Sequence, residues 1–433
     1  MAMPETADVL VIGGGPAGSC AATQLAQAGL DTVVIDKQHH PRETVGESVL
    51  PSAWRYFDLL GVSEDVEKSF VKKAGGVVVW GDEITQIAFR DFAYERPGLH
   101  VERAELDHLL LKNAKSKGAR VFEGVKAENF SLNENGAEIA VVGPQGRQTI
   151  SCKYFIDATG QASFVAQQLG GRRLDDDFRF VSLWGYFRDS LYVSSGGIVR
   201  AFSEIPHHPP MTFVARLGGW GWAWHIPMKH ETSVGIVVPV EDYKKGLAQH
   251  GTLERYFLAT CAATEHLGAL LAKAHLGDGR VRMIRDFSYL PDRVAGPGYF
   301  VTGDAAGFVD PIFSIGVIMA LYSGHLAAWA VQRCLRHPAQ AESTRKLFET
   351  QMSGRYELAR TMALPGVETD ATQGAKTYFD FFSVAEKELM WSAASMTTRS
   401  GNMVRASNDR GAPAVLKRRE LGALQFPADA MAS

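Results

Sequence analysis

The sequence predicts an α/β chain: a parallel, doubly wound unit, an inserted antiparallel sheet and a helical C-terminal segment. Three observations carry the prediction. Residues 8–36 read as strand, glycine-rich turn, helix and strand. Residues 178 to about 240 alternate as strands and are dense in aromatic side chains and in Gly and Pro turns. Residues from Ala341 onward begin with amphipathic helical spacing.

Asp8 to Gly13 is a short apolar run of the kind buried on both faces of a parallel sheet. Gly13-Gly14-Gly15-Pro16-Ala17-Gly18 opens a helix, Ala17 to Ala28, and Thr32 to Ile35 is the next strand, closing on Asp36. A βαβ unit with GxGxxG at its first turn suits a dinucleotide. Glycines admit a pyrophosphate to the backbone, the helix N-terminus favours its charge, and Asp36 stands where a carboxylate accepts from ribose hydroxyls. In the next loop, residues 41–48, Arg42 and Ser48 could reach the cofactor or belong to a solvated turn. Arg103, at the start of a helix, has the same two readings.

Lys72 and Lys73 lead into an apolar strand, Val77 to Trp80. Two lysines at a strand entrance are usually a solvated edge; in extended chain they point to opposite sides, so at most one faces inward. Residues 128–142 read as a β-meander. Tyr154 to Gly160 is a buried strand ending in a turn that contains Asp157, and it returns the chain to the first unit. Within the aromatic-rich stretch, Trp222, Trp224 and Ile226 share one strand face and Ala223 and His225 the other, with the strand stopping at Pro227. Alone, this is a core strand. Leu253 to Ala274 reads as helix and Phe287 to Leu290 as strand. Another buried strand runs into Gly303-Asp304, where a carboxylate can bind the ribityl chain of a flavin. Pro311 to Gly316 then precede a long helix, Val317 to Leu335, whose free N–H groups favour an anion. The last twenty or so residues carry no clear core pattern, and the extreme C-terminus is expected to be mobile.

With 433 residues, a large core and two or three structural units are expected. A net charge of -3 argues against general binding to nucleic acid or a membrane surface. The four cysteines form no CxxC pair, so neither a metal site nor a disulfide framework is expected. With no basic-then-apolar N-terminal stretch and no run of transmembrane length, the expected location is cytoplasmic.

Together these residues resemble the flavin-dependent halogenases. Gly13-x-Gly15-x-x-Gly18 is shared with all FAD-binding relatives. Trp222-x-Trp224-x-Ile226-Pro227 and Phe308-x-x-Pro311-x-x-Ser314-x-Gly316 are similar to the two more specific motifs of that family. Val45-Gly46-Glu47-Ser48 and Phe70-x-x-Lys73-x-Gly75 resemble it as well, over roughly residues 7–360. The resemblance implies a Rossmann-like FAD-binding domain of the p-hydroxybenzoate-hydroxylase/glutathione-reductase type. Its nucleotide parts would lie at about 7–70, 100–175 and 280–340 and the substrate sheet at about 71–99 and 178–278. Residues 361–433 would form a helical segment capping the substrate site.

The chemistry implied is that of FADH2 supplied by a separate flavin reductase, O2, and chloride or bromide. A flavin hydroperoxide oxidises halide to hypohalous acid, which is relayed to an aromatic ring through a lysine. That lysine matches Lys73; the halide cradle matches Ser314, Ile315 and Gly316; Trp222, Trp224, Pro227, Phe308 and Pro311 match the partition between flavin and substrate. The cofactor set is Gly13, Gly15, Ala17, Gly18, Asp36, Arg42, Ser48, Arg103, Asp157, Gly303 and Asp304. Phe313 stands where tryptophan halogenases carry a glutamate, which points to phenols or pyrroles, free or bound to a carrier protein, in natural-product biosynthesis. The sheet from Trp184 to Phe213 and the tail around Phe379 to Trp391 are expected to shape the pocket. A flavin-dependent aromatic hydroxylase, an inactive flavoprotein that docks a carrier, and a prenyl-chain reductase of the same fold are the alternatives.

Overall fold

A computed structural model describes residues 3–364, 383–397 and 415–428. Its first sheet has eight strands. The central path runs Ala295–Gly296, Tyr299–Val301, Gly146–Asp157, Thr6–Ile12, Thr32–Asp36, Arg120–Glu123. All pairings from Tyr299–Val301 to Arg120–Glu123 are parallel. The apolar runs seen in sequence are here buried on both faces, with Val9, Leu10, Val11, Val33 and Val34 fully inaccessible. The meander Lys126–Asn133 and Gly136–Gly143 continues antiparallel from Gly146–Asp157.

Parallel register does the functional work. Ile12 pairs with Ile35 on one side and with Asp157 on the other, and Asp157 pairs with Val301. Four strands therefore end level, and Gly13, Asp36, Asp157 and Gly303 meet at their carboxyl ends, where open α/β sheets bind ligands. Behind them helix Pro16–Gln27 packs closely on helix Gly316–Arg336. A Cβ on Gly324 would lie 2.2 Å from the Ala17 carbonyl oxygen, so only glycine allows this approach.

The second sheet has nine strands and is mostly antiparallel. Its path is His275–Leu276, Phe180–Arg188, Thr232–Pro239, Trp222–Pro227, Met211–Arg216, Gly75–Trp80, Glu83–Ala88, Arg419–Leu421. Met211–Arg216 pairs parallel with Gly75–Trp80 and joins two distant stretches into one sheet. One face buries Ala223, Val234 and Ile236 under helices Val240–His250 and Leu253–Ala263, whose Phe257 packs into the same core. The opposite face carries Val78, Val214, Trp222, Trp224 and Ile226 and packs on Val309, Ile312 and the C-terminal helix Val384–Met396.

Three expectations change. Residues 253–274 are not one helix: it ends at Ala263, and a short turn of helix, Leu267–Leu270, follows His266, whose φ is 61°. The tail is not without core pattern. Arg419–Leu421 pairs with Glu83–Ala88, and Leu421 and Leu424 are buried; a three-residue strand is too short to show alternation. Residues 429–433, also expected to be mobile, lie outside the described residues. A small sheet absent from the sequence reading joins Ser48–Val49, Gly98–His100 and Val71–Lys73.

Candidate functional site

At the nucleotide end the glycine turn is sterically obligatory. A Cβ on Gly13 (φ 109°) would lie 2.3 Å from the Ala158 carbonyl oxygen, and one on Gly18 1.9 Å from that of Gly13. Gly15 is different: it caps the helix in extended conformation, and its Cβ would meet only Arg42 Nη2 at 3.4 Å. Ala17 packs its methyl near Gly303 and leaves its first-turn N–H as a donor. Asp36 accepts from Gly14 N–H and Gln38 N–H, each at 2.8 Å, which fixes its carboxylate beside the turn.

Arg42 and Arg103 come together on a residue the sequence reading missed. The Arg103 Nε donates to Asp107 Oδ1 at 2.9 Å and its Nη2 to Oδ2 at 3.1 Å, while Arg42 Nη1 lies 3.5 Å from Oδ2. Asp107 is fully buried. One buried carboxylate thus holds two guanidiniums beside the glycine turn. Arg103 and Asp107 are four apart on one helix, a spacing that was legible. Asp304 keeps an accepting carboxylate, with Gln161 Nε2 at 3.4 Å, and burial pushes its carboxyl up while Arg103 opposes.

Asp157 is a correction. Its carboxylate accepts from Thr159 N–H at 3.0 Å, Thr159 Oγ1 at 2.7 Å and Val165 N–H at 2.8 Å, and it is fully buried. It organises its own turn and presents nothing to a cofactor. Ser48 also faces another way, since it accepts from Lys73 Nζ at 2.7 Å. The remaining set suits a flavin dinucleotide: a cradle that side chains would fill, carboxylates at two strand ends, and two guanidiniums.

Strand alternation separates the two lysines. Lys72 is exposed and pairs with Glu67 at 3.2 Å; Lys73 is 3% exposed. Burial draws the Lys73 pKa down from 10.5 to about 7, and among the described residues no carboxylate forms an ion pair with it. Its Nζ lies 5.3 Å from the Phe89 ring centroid. Lys73 lines a cavity of about 90 Å³ together with Thr212, Val214, Ile312, Phe313, Ser314 and Ile315. Met362, Leu389, Met390 and Met396 close it. The aromatics from Trp184 to Phe213 are not in its wall; from the sheet come Gly76, Val78, Ile87, Thr212 and Val214. Residues 379–382 of the expected tail wall lie outside the described residues.

Before the long helix the chain turns sharply. Ser314 takes φ 58°, uncommon without glycine, and Ile315 caps helix Gly316–Arg336 without a side-chain cap. The positive end of 21 residues of helix therefore opens at Ser314 and Ile315. Gly316 lies behind, with Phe308 3.6 Å from where its Cβ would stand. Asp310 Oδ1 caps the Pro311–Phe313 turn by accepting from Ile312 N–H at 2.9 Å. Trp222 and Trp224 are buried 5.7 Å apart on the same sheet face as Val214. They do not line the cavity. Trp224 Nε1 donates to Ser233 Oγ at 3.0 Å, and its ring needs Gly235, where a Cβ would lie 2.2 Å away. The carbonyl of Pro227 accepts from His100 Nδ1 at 2.8 Å.

A buried lysine near neutral pKa costs stability. The unfolded chain holds the proton up to about pH 10.4, while the folded chain sheds it above about 7. Unfolding thus takes up a proton between those values, and the penalty grows as pH falls to 7 and is full below it. Lys73→Met is expected to raise Tm, by the equivalent of a few kcal/mol at about 1.4 kcal/mol per pKa unit. The gain should be largest at pH 6 and shrink toward pH 10 in calorimetry; a gain independent of pH would show that the ammonium is not the cause.

The chain matches the FAD binding domain family over residues 6–347. It is 32% identical to a tryptophan 2-halogenase of Chondromyces crocatus over 387 residues, covering 88% of this chain and 71% of that one. It is 31% identical to the sulochrin halogenase of Aspergillus terreus over 386 residues, covering 82% and 68%. Among solved structures, the myxobacterial chondrochloren halogenase, described as a variant of FAD-dependent halogenases, superposes with a TM-score of 0.75 at 26% identity, covering 91% of this chain and 98% of that one.

Proposed function

Since the chain belongs to the flavin-dependent halogenases, we propose that it halogenates an electron-rich, uncharged aromatic ring, a phenol or pyrrole, with Lys73 carrying the halogen. It is an FAD-dependent oxidoreductase, and its family generally needs a flavin reductase and an aromatic substrate. The observation that carries the finer reading is the cavity: Lys73 and the 312–315 turn line one space, and among the described residues Lys73 is its only charged side chain. A free amino acid would bring an ammonium and a carboxylate into that space, with no carboxylate among its described lining residues to pair the former. Phe313, where a glutamate would help such a substrate, fills its place with an apolar ring.

The residues divide the work as follows. Gly13, Gly15, Ala17 and Gly18 take the pyrophosphate, Asp36 the ribose, Gly303 and Asp304 the ribityl chain, and Arg42 and Arg103 balance the charge. FAD, when bound and reduced, supplies with O2 and halide the hypohalous acid. Ser314, Ile315 and Gly316 hold the halide at the helix N-terminus. Trp222 and Trp224 on the sheet face, with Phe308 and Pro311 from the loop before the helix, form the partition that excludes water. With a pKa near 7, a large share of Lys73 is amine at neutral pH. Its lone pair takes the halogen: an N–X bond forms as X–O breaks, and hydroxide leaves as water with the proton that Nζ sheds. The halogen passes to a ring carbon, and the ring proton returns to Nζ. An amine in an apolar site is the better nucleophile for this step.

The test is to give the protein FAD, a flavin reductase, NADH, O2 and bromide with a phenol, a pyrrole or tryptophan as acceptor. Ring-brominated phenol or pyrrole is the expected product. Hydroxylated product alone would place the chain with the aromatic hydroxylases, and faster turnover of tryptophan would overturn the uncharged-substrate reading. A carrier-tethered pyrrole against the free acid then distinguishes free from carrier-bound substrate.

A further inference from the structure

Behind the cavity, four buried side chains from separate segments form one line of hydrogen bonds. Lys73 Nζ is 2.7 Å from Ser48 Oγ, Ser48 Oγ 3.3 Å from Thr212 Oγ1, and Thr212 Oγ1 2.8 Å from His100 Nε2. His100 Nδ1 lies 2.8 Å from the Pro227 carbonyl oxygen. His100 is fully inaccessible. The small sheet brings three of them together, since Ser48 and Val71 both pair with His100. Thr212 and Pro227 arrive from the nine-stranded sheet.

The direction of every bond follows from one fixed group. A carbonyl only accepts, so His100 Nδ1 carries the hydrogen. A neutral imidazole then has a bare Nε2, which accepts from the Thr212 hydroxyl. Thr212, its hydrogen spent, accepts from Ser48, and Ser48, its hydrogen spent, accepts from Lys73. The imidazole stays neutral because burial holds its pKa well below 6.5, with the charge of Lys73 adding to the effect. Other titratable groups on the surrounding elements are turned away or neutral. Glu47 accepts from Gly46 N–H and Tyr186 Oη, Arg90 pairs with Asp91 at the surface, and burial pulls His225 down to about 3.

We propose that His100 is a positioning residue for Lys73. Acting through Thr212 and Ser48, it makes Ser48 an obligate acceptor, so one Lys73 N–H is tied back and the amine lone pair is left for the cavity. This rests on the reading of Lys73 as the halogen carrier. If the line is cut, Ser48 is free to rotate and donate its hydrogen to the Lys73 nitrogen. That stabilises the amine and occupies its lone pair. The pKa then falls while reactivity falls with it.

The test is the pH profile of aryl bromination at saturating acceptor. The wild type should rise with pH to a plateau with a midpoint near 7. His100→Leu, and Thr212→Val with its nearly unchanged volume, should lower the plateau roughly tenfold, the effect of one misdirected hydrogen bond. Their midpoints should move to lower pH. Thr212→Ser keeps the hydroxyl and should keep the wild-type profile. A wild-type profile in both His100→Leu and Thr212→Val overturns the proposal, as does an equal loss in Thr212→Val and Thr212→Ser at an unmoved midpoint, which marks packing alone. Lys73→Ala separates the two readings: if it still brominates, the role of Lys73 and this proposal both fall. If it is inactive while the His100 and Thr212 variants behave as wild type, only the positioning role falls.

Discussion

Lys73→Ala is expected to reduce aryl halogenation on the order of a thousandfold, with reduced flavin still reoxidised in the presence of halide. Lys73 is the only charged side chain among the described cavity residues, and its nitrogen is held by Ser48 at 2.7 Å. Alanine removes the proposed nucleophile while leaving the Ser314-Ile315 turn and the glycine cradle untouched. Product analysis by chromatography, with flavin oxidation followed by absorbance, measures the two parts separately. Lys72→Ala serves as the companion: its side chain is exposed and pairs only with Glu67 at the surface, so it should halogenate as the wild type does. Equal losses in the two variants would mean that local charge, not the buried amine, is what matters.

Gly15→Ala and Gly18→Ala are expected to weaken FAD binding on the order of a hundredfold, for different reasons. At Gly18 the new methyl would lie 1.9 Å from the Gly13 carbonyl oxygen, so helix Pro16–Gln27 must retreat and Tm should fall as well. At Gly15 the methyl meets only the end of the Arg42 side chain, and the backbone there is extended, which alanine adopts freely. Its flavin-free Tm should change by less than about 1 kcal/mol in equivalent stability. Lost affinity with retained Tm locates the pyrophosphate against Gly15. Flavin fluorescence on dialysis and calorimetry of the flavin-free protein give the two readouts, and undiminished affinity in Gly15→Ala would move the pyrophosphate elsewhere.

Much of this site was legible along the chain because its parts obey local rules. GxGxxG between strand and helix, the carboxylate closing the next strand, and alternation across Lys72 and Lys73 all depend on neighbours a few residues apart. So does the assignment of Trp222, Trp224 and Ile226 to one face. Other parts were hidden for an equally definite reason. Asp157 and Asp304 look alike in sequence, each near a strand end with a glycine close by, Gly160 and Gly303. Only the fold shows that three donors of its own loop consume the first and leave the second able to accept. Arg419–Leu421 is too short to announce itself as a strand, and its partner lies more than three hundred residues away.

The sequence by itself determined the α/β class, the dinucleotide turn, the opposite facing of Lys72 and Lys73 and the helix start that favours an anion. Each is set by backbone geometry and by the period of side chains along a strand or helix. Tertiary structure alone decided that Lys73 and Ser314-Ile315 face one cavity, that Asp107 holds both arginines, and that His100 reaches Lys73 through Thr212 and Ser48. Those relations depend on which strands pair across long stretches of chain, and a hydrogen bond acts only over about 3 Å. No residue carries the mark of a partner that packing will bring to it.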